Sequence, residues 1–421
     1  MMTQAFYSGL SGLRAGQTAI DITANNISNI STTGFRAYKA EFSNLFEDAM
    51  VSQGGDSLNP SSVGIGTQIQ ASSMVLGNGS YSLSERSTDM ALDGAGWFGV
   101  SNPTGNFYTR AGNFMFDSNS NLVTSEGYHV LGTMGGNIDF DSNTITDVVG
   151  EVGLGDIGEV EKLSFPQTLT YPSIATTSVK FFGNIGIEDE VRTMGADIVD
   201  AQGNLNYLNL SFSKSNPQVQ PGTQWDVTAR TENSDGSIVY DSKTGSVKFD
   251  SDGLLISSSL TTIDNNGSAV EIGLGSSYNG ITAIGNTEIT SSSMSDGSIG
   301  GDLVGYDINS DAEVVATFSN GYQSSVGQIA VFHFRNDQGL DRASGANFMQ
   351  SVNSGDPFFM QDESGNNISG AKVMTYKLEN SNVAMEQALT ELIVYQRSYD
   401  ANSKSVSTAN EMMQKALEMD A

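Results

Sequence analysis

The residues able to do chemistry are few. The chain has no cysteine and only two histidines, His129 and His333, so disulfides, zinc fingers, thiol catalysis and most histidine-ligated metal sites are excluded. Gly153-Leu154-Gly155-Asp156-Ile157-Gly158 spells the GxGxxG of a dinucleotide loop. A dinucleotide fold needs a long helix next, yet Glu159 and Glu161 bring negative charge and Pro166 leaves no room, which predicts an ordinary glycine-rich loop. Asp117-Ser118-Asn119-Ser120-Asn121 opens like a calcium loop. Leu122 stands where such a loop needs glycine and Tyr128 where it needs glutamate, which predicts a hairpin turn. No serine is placed with a histidine and a carboxylate, and no carboxylate pair has a diagnostic spacing. The expectation is a protein that is not an enzyme and uses no metal or cofactor.

The ends of the chain carry more information. Phe6, Leu13, Ile20 and Ile27 recur every seven residues, with Leu10, Gln17 and Ala24 midway. Met385, Leu392, Tyr399, Val406 and Met413 do the same, with Leu389, Gln396, Ser403, Asn410 and Leu417 between them. Spacings of four and three make a coiled-coil heptad. Pro60 is the first proline and Pro357 the last, so neither stripe is interrupted. Helices of this length are marginal alone in water, which predicts partners for both: each other, or further copies of the chain. Gly9, Gly12 and Gly16 share one side of the first helix, where each costs about 1 kcal/mol relative to alanine. That cost predicts a close helix–helix approach.

The formal net charge is −29, from 19 basic and 48 acidic residues. Residues 1–50 hold 3 basic and 4 acidic residues and 376–421 hold 4 and 7, so the middle carries −25. Acidity of that kind argues against nucleic acid and anionic lipid. No apolar run is long enough to span a membrane, and the N-terminus does not read as an ordinary signal peptide. The glycine- and serine-rich middle nonetheless looks extracellular.

The expected fold is mainly β with α-helical termini that pair as a coiled coil; a discontinuous β domain carries an inserted second β domain. The expected boundaries are 1–30 for the N-terminal helix, 31–75 for a linker, 76–172 with 287–366 for the discontinuous domain, 173–286 for the insertion, and 367–421 for the C-terminal segment and helix. Residues 51–80 read as irregular, Asp250 to Gly253 as a hairpin turn, Phe348 to Phe359 as a loop, and Ser381 as the N-cap of the last helix.

Several runs resemble the bacterial flagellar rod and hook protein family. ANNISNISTTGFRAYKAEFSNLF (Ala24 to Phe46) is similar to its N-terminal motif. TDMALDGAGWFGV (Thr88 to Val100) and FYTRAGNFMFDSNSNLVTSEGYHVLG (Phe107 to Gly132) are similar to its first β segments. SNVAMEQALTELIVYQRSYDANSKSVST (Ser381 to Thr408) resembles its closing helix, with Ala384 where the family usually has aspartate. ATTSVKFFGNI (Ala175 to Ile185), Trp225, Phe249-Asp250 and the run from Gly305 to Leu340 resemble the larger, insertion-bearing hook members. The resemblance implies a curved hollow tube of stacked copies, acting as a universal joint between the motor's rod and the filament. It also implies export without cleavage through the flagellar type III apparatus, which reconciles an extracellular composition with the missing signal peptide. The implied partners are further copies, the distal rod, hook cap and hook–filament junction proteins, and the export apparatus. The implied assembly stripe is Phe6, Leu10, Leu13, Ile20, Ile27, Met385, Leu389, Leu392, Tyr399, Val406, Met413 and Leu417. Phe42 and Phe46 fit the family's export-gate motif, or ordinary packing. A rod-type paralogue and an acidic secreted binding protein are the alternatives.

Overall fold

A computed structural model describes residues 2–46, 64–218 and 220–419. The two α-helices lie at the ends, α1 over Met2–Ser28 and α2 over Met385–Met419, and nearly everything between them is strand or turn. Neither helix is long and apolar enough to cross a membrane.

The discontinuous β domain is a 15-stranded sheet. Gly301–Ile308, Glu313–Phe318 and Gln323–Ile329 lead directly into His129–Met134, Trp97–Asn102 and Gly105–Thr109, so early and late sequence share one sheet. Met90, Phe98, Phe114, Val130 and Phe165 from the first part pack with Val314, Phe318 and Val331 from the second. The segment expected to begin the C-terminal unit at 367 still belongs here. Lys372–Thr375 pairs with Met90–Asp93, and Lys377–Glu379 pairs with Tyr81–Leu83. Val373 is buried in the same core, and burying a valine stabilises by about 1.5 kcal/mol or more.

The insertion is a 10-stranded sheet with its own core around Phe181, Leu210, Phe212, Trp225, Val227 and Phe249. Strict alternation produces it: Leu208, Leu210 and Phe212 point inward while the residues between them are more exposed. Thr290–Ser295 pairs antiparallel with Ser178–Asn184, and the Ser293 hydroxyl donates to the Gly195 carbonyl at 2.8 Å, so the sheet curls back on itself. The insertion therefore runs past the expected end at 286. Its neck is closed by Ile174 and Ser298, whose amides donate to each other's carbonyls at 2.8 and 2.9 Å. The serine run 291–293 has no apolar alternation, which hid this last strand. The expected hairpin at Asp250 to Gly253 is present, with Gly253 at φ +80.

The expected linker 31–75 is largely a two-stranded antiparallel ribbon of β1, Tyr38–Phe46, and β2, Gly64–Met74. Residues 51–63 of the irregular stretch lie outside the described residues. α1 covers one face, where the Thr67 amide donates to Ser11 Oγ at 3.2 Å. A Cβ on Gly66 would sit 1.9 Å from that oxygen, which explains the glycine.

Candidate assembly surface and helix joint

The chemistry-bearing runs are structural. Gly153 to Asp156 lead into the 3₁₀ turn Ile157–Glu159, where the Asp156 amide donates to the Glu159 carboxylate, and no long helix follows. Asp117 closes a hairpin by accepting the Asn119 and Asn121 amides and the Asn121 side chain, each at 2.8 Å. The Asn121 side chain holds that carboxyl below the ordinary aspartate range. Among the described residues no group of three or more histidine, cysteine, aspartate or glutamate side chains is placed to hold a metal ion.

The terminal helices pair antiparallel through small residues. A Cβ on Gly9 would lie 2.7 Å from Val406 Cγ2, one on Gly12 2.6 Å from Asn402 Nδ2, and one on Gly16 3.8 Å from Tyr399. The seam continues along α1 through Ala19, Thr23 and Asn26, all buried. On α2 the same spacing of three and four passes through Ala388, Leu392, Tyr395, Tyr399, Asn402, Val406, Ala409 and Met413, each buried or half-buried. Large side chains would hold the backbones apart, so glycine and alanine occupy the contact.

This seam lies beside the stripe of large residues. Phe6, Leu10, Leu13, Ile20 and Ile27 are half-buried along its flank. Leu392, Tyr399, Val406 and Met413 belong to the seam, whereas Met385, Leu389 and Leu417 are exposed, as are Ile393 and Val394. Four of the seven α2 stripe residues thus face α1 and three face outward. The ring of Phe42 lies 5.9 Å from that of Tyr395, so it packs on α2 while remaining partly exposed. Phe46 ends β1, and its side chain lies outside those described.

The N-cap of α2 is Ala384, whose carbonyl accepts the Ala388 amide at 2.9 Å. The expected cap, Ser381, is too far upstream; its hydroxyl accepts the Val383 amide instead, at 3.4 Å. The neighbouring Asn382 ties three segments together. Its carbonyl oxygen accepts the Ala37 amide at 2.7 Å, and its NH2 donates to Val75 O and Gly77 O at 2.8 and 2.7 Å.

A charged cluster sits under this tie. Glu379 receives Arg36 on one carboxylate oxygen at 3.0 Å and Arg110 on the other at 3.4 Å, and all three side chains are almost wholly buried. Burial, with Arg36 close by, pushes the Arg110 guanidinium down to about 10, and Glu379 opposes the shift. Arg110 also donates to the Leu92 and Gly94 carbonyls and lies over the Trp97 ring, whose N–H reaches Asp337. Gly34, at φ +69, packs so closely on Ala111 that a Cβ would come within 2.3 Å of its nitrogen. The cluster was not legible as a site. Arg36 and Arg110 nonetheless fall in the runs TTGFRA and YTRAG, and Glu379 stands two residues before SNV.

The model for the "Flagella basal body rod protein" family matches residues 6–36, that for the "Flagellar hook protein FlgE/F/G D1 domain" 91–162, and that for the "Flagellar basal body rod FlgEFG protein C-terminal" 375–419. The chain is 25% identical to the flagellar hook protein FlgE of Borreliella burgdorferi, over 99% of this chain and all of that one. It is 26% identical to that of Treponema pallidum over the same shares. With that of Salmonella typhimurium it shares 25% over 97% of this chain and 98% of the other. The crystal structure of Helicobacter pylori flagellar hook protein FlgE2 matches with a TM-score of 0.50 and 19% identity, over 71% of this chain and all of that one, a likeness of fold. Its terminal motifs, its β domain and its full length thus all align with flagellar rod and hook proteins.

Proposed function

We infer that this chain is the structural subunit of the bacterial flagellar hook, outside the cell, where copies stack helically into a curved hollow tube joining rod to filament. The observation that carries the inference is the end-to-end alignment with hook proteins, insertion included. The role is mechanical, not catalytic. Phe6, Leu10, Leu13, Ile20 and Ile27 on α1, with Met385, Leu389 and Leu417 on α2, form the outer apolar flank that neighbouring copies cover. Full burial of a leucine or phenylalanine is worth about 1.5–3 kcal/mol, so covering several per copy suffices for polymerisation. The finer partners are the distal rod, hook cap and hook–filament junction proteins, and the type III export apparatus reading Phe42 and Phe46. Purified chain, concentrated above its critical concentration, is expected to give curved tubes in electron micrographs. Straight rods or no polymer would count against the hook reading.

A further inference from the structure

We propose that Glu379 is a latch that makes docking of the two chain ends onto the β domain all-or-none. Three segments distant in sequence supply the buried charges. Arg36 follows α1, Arg110 belongs to the β domain, and Glu379 precedes α2. Each oxygen of the Glu379 carboxylate takes one arginine, and Oε1 also accepts the Gly79 amide at 2.9 Å. Without Glu379 the two guanidinium groups share a water-poor site with their nearest carboxylate gone; Asp337 is engaged by Trp97. Removing one partner from a buried charge cluster is strongly destabilising because the remaining charge is left uncompensated. The N-terminal root therefore docks badly until the C-terminal strand arrives. The converse holds because Glu379 buried without Arg36 loses its closer partner. Backbone bonds cross the same joint: the Gly34 amide donates to the Glu379 carbonyl at 2.8 Å and the Asn382 amide to the Phe35 carbonyl at 3.3 Å. Coupling of this kind is reciprocal, so loosening either root loosens the other. A chain with only one end in place has no stable joint, which keeps half-formed subunits from presenting a helix pair.

The test is amide hydrogen exchange on the full chain, comparing wild type, Glu379→Gln and Arg36→Met. The reporters are Gly34 and Ala37 on the N-terminal side and Asn380 and Asn382 on the C-terminal side. Both variants are expected to speed exchange at all four by at least about a hundredfold. Sheet amides between Trp97 and Thr109 should be unchanged. If one variant fails to fold, the other decides alone. In a variant that folds, faster exchange confined to the substituted side or unchanged exchange would each overturn the latch, as would loss of protection across the whole β sheet in both variants. So would a wild-type chain whose four reporter amides are already unprotected. The readout concerns the joint and not motility, so it is independent of the hook reading.

Discussion

Substituting the glycines of α1 one at a time tests whether the helix seam is as tight as its geometry. Glycine-to-alanine gains about 1 kcal/mol of helix propensity in an interior position, and this gain is common to Gly9, Gly12 and Gly16. The packing term is not common. At Gly16 the new methyl meets Tyr399 at 3.8 Å, ordinary contact, so Gly16→Ala should stabilise the pair by about 1 kcal/mol. At Gly9 it would meet Val406 Cγ2 at 2.7 Å and the Asn402 carbonyl oxygen at 3.4 Å. Valine in a helix is nearly fixed at χ1, so the helices must separate, and overpacking of this kind costs about 1–3 kcal/mol. Propensity cancels in the comparison, leaving Gly9→Ala about 1–3 kcal/mol below Gly16→Ala. Gly12→Ala should fall between, because the obstacle at 2.6 Å is the end of the rotatable Asn402 side chain. α1 and α2 are the two α-helices of the described chain, so helical circular dichroism during denaturant unfolding reports this seam almost alone. Val406→Ala combined with Gly9→Ala should recover part of the loss. Equal midpoints for Gly9→Ala and Gly16→Ala, or no rescue, would refute the close approach.

Three further outcomes are expected. Ala384→Asp supplies the missing N-cap acceptor of α2 and should raise helix stability by about 0.5–2 kcal/mol, read in the same unfolding experiment; no gain would remove Ala384 from the cap position. Acid should weaken the hairpins closed by Asp117, Asp200 and Asp362. The Asn121 side chain lowers Asp117 and the Asn366 amide lowers Asp362; at Asp200 burial pushes upward, but hydrogen bonds from Asn266, Asn204 and Gln202 outweigh it. Their contribution is complete above about pH 4, the unfolded aspartate value, and is lost as pH falls through the lower folded values, so a chain with all three changed to asparagine should show a flatter acid dependence. Deleting 175–297 and bridging Ile174 to Ser298 with a short glycine–serine link should leave a folded chain that still polymerises, with altered curvature; an insoluble product would show that the two β cores are interdependent.

The large-scale plan was legible because its signals are physical and periodic. Alternation at Leu208, Leu210 and Phe212 marks a strand facing a core, and the heptads mark helices at both ends. The seam was only half legible, because a stripe of large apolar residues is visible in sequence whereas a contact defined by missing side chains is not. Gly9, Gly12 and Gly16 pointed to it only through the stability they cost a helix. Thr290–Ser295 was hidden because its serine run has no apolar period, whereas β1 does alternate at Tyr38, Ala40 and Phe42 yet was read as linker. The Arg36–Glu379–Arg110 cluster was hidden because its members are remote in sequence, and only the fold brings Glu379 to both arginines.

The most direct measurement of the central claim is electron microscopy of basal bodies from a strain lacking this gene. Complete rods that end without a hook, no filaments, and curved hooks restored by the gene in trans are expected. Normal hooks on the deletion strain would contradict that claim.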